Sequence, residues 1–210
     1  MIRVLIVDDH EIVRRGLKEV FADEFPELKI GEAKNSREAL EQLAAHEWDI
    51  VLLDINMPGR NGLEILSEIK RLRSHTPVLV VSAYPEEEFA VRSFKLGASG
   101  YLNKNSAVDE VVAAAKKAIA GGKYVTALLA EKLAATLGGD IQLAPHESLS
   151  SRELQVFQMV AKGRTIKEIA AELALSEKTV GTYRSRLSKK MGLATNVELT
   201  RYALQHRLAD

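Results

Sequence analysis

The chain has no cysteine, so disulfides, thiolate metal sites and a thiol nucleophile are all excluded. That absence fits a reducing cytosol. No apolar run approaches the ~20 residues that a membrane span needs, and no membrane partner is expected. A strand-like run begins directly after Met1-Ile2-Arg3, so a signal peptide is not expected and the expected location is cytoplasmic. No internal repeat is evident. Net charge is lacking too, since 29 Lys and Arg balance 29 Asp and Glu. The balance conceals an asymmetry: residues 1–121 hold 16 basic and 20 acidic side chains (net −4), residues 122–149 hold 2 and 3 (net −1), and residues 150–210 hold 11 and 6 (net +5). An acidic front and a basic back suggest separate partners, with nucleic acid a candidate for the back. A charge of this size is also ordinary for a small domain.

The 210 residues suffice for one large or two small domains. Short apolar runs alternate with helix-period stretches through residue 121. The pattern predicts strands near 3–7, 28–33, 49–53, 77–82 and 99–103. Helices are expected near 10–22, 36–46, 62–73, 86–96 and 107–120. Five such units imply an α/β doubly wound, five-stranded parallel sheet with helices on both faces. Gly121-Gly122 stops the fifth helix. Leu129, Leu133 and Leu137 repeat every fourth residue and predict a helix at 126–137, ended by Gly138-Gly139. Asp140 to Leu149 has no apolar period and reads as a linker. The expected division is therefore 1–121, a helix and linker at 122–149, and 150–210. From Ser150 onward the pattern is wholly helical. Ser150…Glu153 and Thr165…Glu168 fit capping boxes, and Gly163 and Gly192 stop helices. A last helix is expected near 195–207.

In a parallel sheet, ligands bind outside the carboxyl ends of the strands. Val4-Leu5-Ile6-Val7 delivers Asp8-Asp9 to that edge, and Ile50-Val51-Leu52-Leu53 delivers Asp54. Three carboxylates brought together repel one another, and a cation is the natural neutraliser. Asp54 is the candidate phosphoryl acceptor, and Asp8 and Asp9 are candidate ligands for Mg²⁺. The Asn56-Met57-Pro58-Gly59 loop offers a backbone carbonyl as a further ligand. Ser82 and Lys104 end the fourth and fifth strands, where a hydroxyl and an ammonium bind phosphoryl oxygens. Each residue has a plainer reading. A lone Asp at a strand end is commonly a cap or a solvated acid, an Asp pair before a helix suits the helix dipole, and Lys104 and Ser82 suit surface and turn roles. The joint pattern at four strand ends is much rarer than any one of them. His10 reads as a cap or flank of the first helix rather than a general base. Trp48 reads as packing between the second helix and third strand.

These residues resemble the receiver domain of two-component response regulators, a flavodoxin-like fold. The matching elements are Asp8-Asp9, Asp54, Met57-Pro58-Gly59 with Gly62, Ser82, and Tyr101 with Lys104. The resemblance implies that Asp54 takes a phosphoryl group from a histidine kinase. It also implies that Asp9 binds Mg²⁺ directly and Asp8 through water, with the Asn56 carbonyl completing the protein ligands. Ser82 and Lys104 would contact the phosphoryl group, and Tyr101 would swing inward as Ser82 moves. Only self-phosphorylation and slow self-dephosphorylation are implied, not a general enzyme. Asn105 stands where many receivers have Pro.

In the basic segment, two helices joined by a turn near Ala174-Leu175 fit a helix-turn-helix. Ile166, Ile169, Ala170 and Leu173 form one stripe, and Val180, Leu187 and Met191 another. The second helix carries Lys178, Thr179, Thr182, Tyr183, Arg184, Ser185, Arg186, Lys189 and Lys190, which suit phosphates and major-groove edges. Gly181 costs ~1 kcal/mol against Ala inside a helix, which suggests close approach to DNA or to a neighbouring helix. A helical bundle with a solvated basic face is the plainer alternative. Leu149-Ser150-Ser151-Arg152-Glu153-Leu154, Gly163, Ile169-Ala170 and Ser176-Glu177-Lys178-Thr179-Val180 resemble the all-α, four-helix LuxR-type DNA-binding domain. The whole chain thus resembles the NarL/FixJ class of response regulators. The resemblance places base-reading positions at Gly181, Thr182 and Ser185, and phosphate contacts at Lys178, Thr179, Tyr183, Arg184 and Arg186. It implies a homodimer formed on phosphorylation, through the last helix with Val197, Leu199 and Tyr202, on a palindromic double-stranded promoter site. RNA polymerase is a further expected partner. Two rival readings are an Asp-nucleophile phosphatase on a related sheet and a receiver whose helical tail binds protein.

Overall fold

The computed structural model describes residues 1–57, 62–83, 86–106, 108–127, 129–131, 134, 144–206 and 208. The chain divides into two compact units, Met1–Ile141 and Gln142–Asp210. Among the described residues, no helix is long and apolar enough to cross a membrane.

The first unit alternates strand and helix: β1 Ile2–Val7, α1 Glu11–Glu24, β2 Leu28–Ala33, α2 Ser36–Ala45, β3 Ile50–Leu53, α3 Gly62–Leu72, β4 Val78–Ser82, α4 Glu86–Lys95, β5 Gly100–Asn103 and α5 Val108–Ile119. The strands are all parallel, in the order β2-β1-β3-β4-β5. The α/β sheet read from the alternation is therefore present. The central strands β3 and β4 are buried along their whole length, which is why they read as continuous apolar runs rather than alternating ones. One face packs Val4, Ile6, Ile50, Leu52, Leu79 and Val81 against Phe21 of α1 and Ala114, Ala115 and Ala118 of α5. Each buried Val, Leu or Ile contributes about 1.5–3 kcal/mol relative to exposure. Trp48 lies over Gly31 of β2, where an added Cβ would stand 2.2 Å from its ring, and donates its indole N–H to the Gln42 carbonyl of α2 at 3.1 Å. Its packing role is seen here as contact with α2 and β2.

Gly121, at φ 84°, turns the chain out of α5. The chain then returns to the sheet: Tyr124 bridges Gly100, its N–H donates to Ser99 O at 2.7 Å, and its hydroxyl bonds Glu110 at 3.1 Å. Residues 127, 129–131 and 134 are helical, with the Leu129 N–H donating to Thr126 Oγ1 at 3.1 Å. Leu133, Leu137, Gly138-Gly139 and the stretch 140–143 lie outside the described residues.

The second unit has a 3-10 turn, Pro145–Ser148, then α6 Ser151–Ala161, α7 Ile166–Glu172, α8 Glu177–Met191 and α9 Asn196–Gln205. Residues 145–149, read as linker, are part of this packed unit. His146 Nδ1 lies 2.9 Å from the Tyr202 hydroxyl, and Leu149 is buried. A single 3-10 turn is too short to show a period, so only long-range contacts reveal it. The boxes at Ser150/Glu153 and Thr165/Glu168 both form, and Thr195/Glu198 makes a third that was not anticipated. Ala174, at φ 52°, makes the turn between α7 and α8. Phe157, Ile169, Leu173, Val180, Leu187, Leu199 and Ala203 form the core.

Candidate functional site

Strand order decides where the acids go. Val7 pairs with Leu53, and the ladder runs one step further, with the Asp54 N–H donating to Val7 O at 2.8 Å. Asp8 and Asp54 therefore leave adjacent strands side by side. At the other flank Ser82 pairs with Asn103, and the Lys104 N–H donates to Ser82 O at 2.8 Å. The Lys104 ammonium reaches both acids, at 2.7 Å from Asp54 Oδ2 and 2.6 Å from Asp8 Oδ2. Asp54 Oδ1 accepts the Asn56 N–H at 2.8 Å. The structure thus brings Asp8, Asp54 and Lys104 together, beside a fully buried Ser82 at the end of β4. Tyr101 is also fully buried, inside β5. Pro58 and Gly59 lie outside the described residues.

Burial pushes the Asp54 carboxyl above its usual range, against the attraction and hydrogen bond of Lys104 and the Asn56 N–H. Burial pulls Lys104 the other way, but attraction to Asp54 and bonds to Asp54 and Asp8 outweigh it, and its pKa lies above the usual lysine value. One ammonium shared by two buried carboxylates leaves the cluster short of positive charge.

His10 occupies the position before α1, yet its side chain caps nothing. Its N–H donates to Asp8 Oδ1 at 2.8 Å, and its Nδ1 stands 3.0 Å from Asp9 Oδ1. Ligand atoms of Asp8, Asp9, His10 and Asp54 all lie within 4.8 Å of one another. Apart from that His10 Nδ1 contact, the buried Asp9 Oδ1 has no hydrogen-bond partner among the described residues. A buried carboxylate oxygen beside two further carboxylates is a donor set of hard oxygens, which suits a divalent cation such as Mg²⁺. A cleft of ≈ 720 Å³ lined by Arg3, Trp48, Asp49 and Pro77 lies at the opposite ends of the strands and shares no residue with the cluster.

In the second unit, Lys178, Thr182, Ser185, Arg186 and Lys189 are exposed on α8, while Thr179, Gly181 and Tyr183 are half-buried. The Thr179 hydroxyl bonds that of Ser176 at 2.8 Å, and the Thr182 hydroxyl bonds Lys178 O at 3.0 Å. Nothing lies within 4 Å of a Cβ added at Gly181, so no neighbouring helix explains that glycine. Arg184 departs from expectation. Its guanidinium is engaged by Asn196, Ala194 and Ser188. The signal was in the sequence: at about 100° per residue, position 184 falls about 40° from Val180, on the apolar stripe rather than the basic face. Lys190 is likewise occupied, at 2.6 Å from Glu153.

Residues 4–116 match the response regulator receiver domain, and residues 147–203 match the luxR family of bacterial regulatory proteins. The chain is 36% identical over 211 residues to response regulator UvrY of Escherichia coli K12, spanning 100% of this chain and 97% of the relative. Identity to response regulator GacA of Pseudomonas aeruginosa is also 36%, spanning 100% and 99%. Among solved structures, the response regulator ChrA of a heme-sensing two-component system aligns with TM-score 0.51 at 28% identity, covering 99% of this chain and 98% of the other. RcsB of Salmonella enterica serovar Typhimurium, bound to promoter rprA with the phosphomimetic BeF3−, shares the fold at TM-score 0.67 and 23% identity, covering 96% and 98%. The chain belongs to the NarL/FixJ family of response regulators, a receiver domain joined to a LuxR-type helix-turn-helix domain that binds DNA and regulates transcription.

Proposed function

We propose that Asp54 accepts a phosphoryl group from a histidine kinase, and that the acyl phosphate favours a dimer and tighter binding to a palindromic promoter site. In this reading residues 1–121 are the switch, 122–144 the connection and 145–210 the DNA-binding part of a cytoplasmic protein. The observation that carries it is the shared ammonium: one Lys104 bridges the buried Asp54 and Asp8, with the Asp9 carboxylate beside them.

Asp8, Asp9, Asp54 and the Asn56 carbonyl would hold Mg²⁺. When bound, that ion neutralises charge on the transferring phosphoryl oxygens. The Asp54 carboxylate attacks phosphorus as the bond to the kinase imidazole breaks. Lys104 then turns from a carboxylate partner into a partner of the phosphoryl group, and the Ser82 hydroxyl supplies a further donor. Drawing Ser82 toward the phosphoryl group alters the β4 tip and the packing around Tyr101. A coupling of ~1–3 kcal/mol between the two events would change DNA affinity about 5–150-fold. Lys178, Thr179, Tyr183 and Arg186 would face phosphates, with Gly181, Thr182 and Ser185 toward base edges. RcsB, which shares the fold, is seen bound to promoter rprA in the presence of the phosphomimetic BeF3−, in keeping with this reading.

Acetyl phosphate with Mg²⁺ should add one phosphoryl group to the chain by intact mass, and Asp54→Ala should abolish the addition. Full labelling of that variant would refute the site.

A further inference from the structure

We propose that Arg184 is a positioning residue of the DNA-binding domain, tying the recognition helix α8 to the start of α9 rather than touching DNA phosphates. The proposal rests on the reading of α8 as the helix that meets DNA. Arg184 Nε and Nη2 both donate to Asn196 Oδ1, at 3.1 and 2.9 Å, Nη2 also donates to Ala194 O at 3.0 Å, and Nη1 donates to Ser188 Oγ. A guanidinium has five N–H donors, so these bonds leave a single one free.

The partners flank a helix junction. Gly192, at φ 68°, ends α8, Leu193 N–H returns to Ser188 O at 3.2 Å, and Thr195 caps α9. Ala194 and Asn196 stand on either side of that cap, so the guanidinium closes the turn from one side. Arg184 stands one helical turn after Val180, on the same side of α8 as the buried Val180, Leu187 and Met191, and is itself only partly exposed. Reaching a phosphate would mean breaking bonds to three residues. The exposed face of α8, with Lys178, Arg186 and Lys189, offers phosphates cations at no such cost.

The two roles separate experimentally through charge and shape. A lysine keeps the charge that a phosphate needs but loses the planar fork that Asn196 and Ala194 need. In the full chain on a mixed-sequence DNA duplex, Lys178→Ala should reduce the slope of log K against log[salt] by about 0.9. Arg184→Ala should weaken binding by at least about fivefold with the slope unchanged. Arg184→Lys should behave as Arg184→Ala, and Asn196→Ala should reproduce both. Hydrogen exchange of amides 193–199 should rise in all three variants, at unchanged helical circular dichroism. A reduced slope for Arg184→Ala together with wild-type binding by Arg184→Lys would make Arg184 a phosphate contact and overturn the proposal. Unchanged affinity and exchange in Arg184→Ala would overturn it as well. If the wild-type chain bound no duplex, the reading of α8 would fall, and the exchange data alone would decide the clamp.

Discussion

Lys104 Nζ lies 2.7 Å from Asp54 Oδ2, although the strands that deliver the two residues are not neighbours. β4 runs between them, and the lysine side chain spans its tip. The same ammonium continues to Asp8 at 2.6 Å, so one cation joins the ends of β1, β3 and β5.

Removing that cation should destabilise the first unit. Asp8 and Asp54 are both buried, and Lys104→Ala takes away the ammonium they share, although backbone N–H donors remain; the loss costs about 3–5 kcal/mol. Denaturant unfolding followed by fluorescence of Trp48, the chain's single tryptophan, measures this unit selectively. Asp54 already has a raised pKa because of burial. The loss should therefore shrink as pH falls and the stranded carboxyls take up protons. A loss that grows toward acid would contradict the assignment.

Divalent cation should stabilise the same unit. A ligand bound only by the folded state at a hundredfold excess over its Kd adds about 2.7 kcal/mol. The Trp48 melting midpoint should rise with Mg²⁺ and return with a chelator. Asp9→Ala, which removes the carboxylate altogether, should abolish most of the rise, and an undiminished rise would place the ion elsewhere.

Two glycines in helices should respond oppositely to alanine. At Gly62 a Cβ would meet backbone, 2.2 Å from Ile55 Cα and 2.9 Å from Asp54 O. Backbone cannot step aside like a side-chain tip, so Gly62→Ala should cost at least about 1–3 kcal/mol and slow acetyl phosphate labelling by displacing the Asp54 loop. Gly181→Ala meets nothing within 4 Å and should stabilise α8 by roughly 0.5–1 kcal/mol. If stability rises while duplex affinity falls, the glycine serves DNA; if both rise, it does not.

Acid should weaken the start of α6. Burial pushes the Glu153 carboxyl up, but bonds from Lys190 and Ser150 outweigh it and hold its pKa below the usual 4.5. A depressed folded pKa contributes stability that is present above the unfolded value and lost as pH falls through the folded one. The protection factors of amides 151–161, corrected for the intrinsic pH dependence of exchange, should fall below pH 4.5 in the wild-type chain. Glu153→Gln should exchange faster at neutral pH and respond less to acid.

Much of this was legible in the residues alone. β3 and β4 announced themselves as unbroken apolar runs because both of their faces are covered. Asp8 and Asp54 were legible as strand-end groups because each directly follows such a run, with Asp9 next to Asp8, and Lys104 because it follows the strand Gly100–Asn103. Arg184 invites a phosphate role as a basic residue on a basic helix, while its place about 40° from Val180 suits the bonds it makes to Asn196 and Ala194. The turn at Pro145–Ser148 and the return of Tyr124 to β5 left no trace in periodicity. Both are held by partners far along the chain, Tyr202 in one case and Gly100 in the other.

Local spacing was enough to specify which segments are strands, which are helices and which residues sit at their ends. That is so because burial on one face or two imposes a period of 2.0 or 3.6, or none, on neighbouring residues. Only the folded chain decided that β1 lies beside β3, that Lys104 crosses β4 to reach both acids, and that Arg184 closes a helix junction instead of facing outward. Those outcomes depend on pairings between residues far apart in the chain, 50 positions for Lys104 with Asp54 and 96 for Lys104 with Asp8. Pairing at that range is selected by the packing of whole elements, which no short stretch of sequence contains.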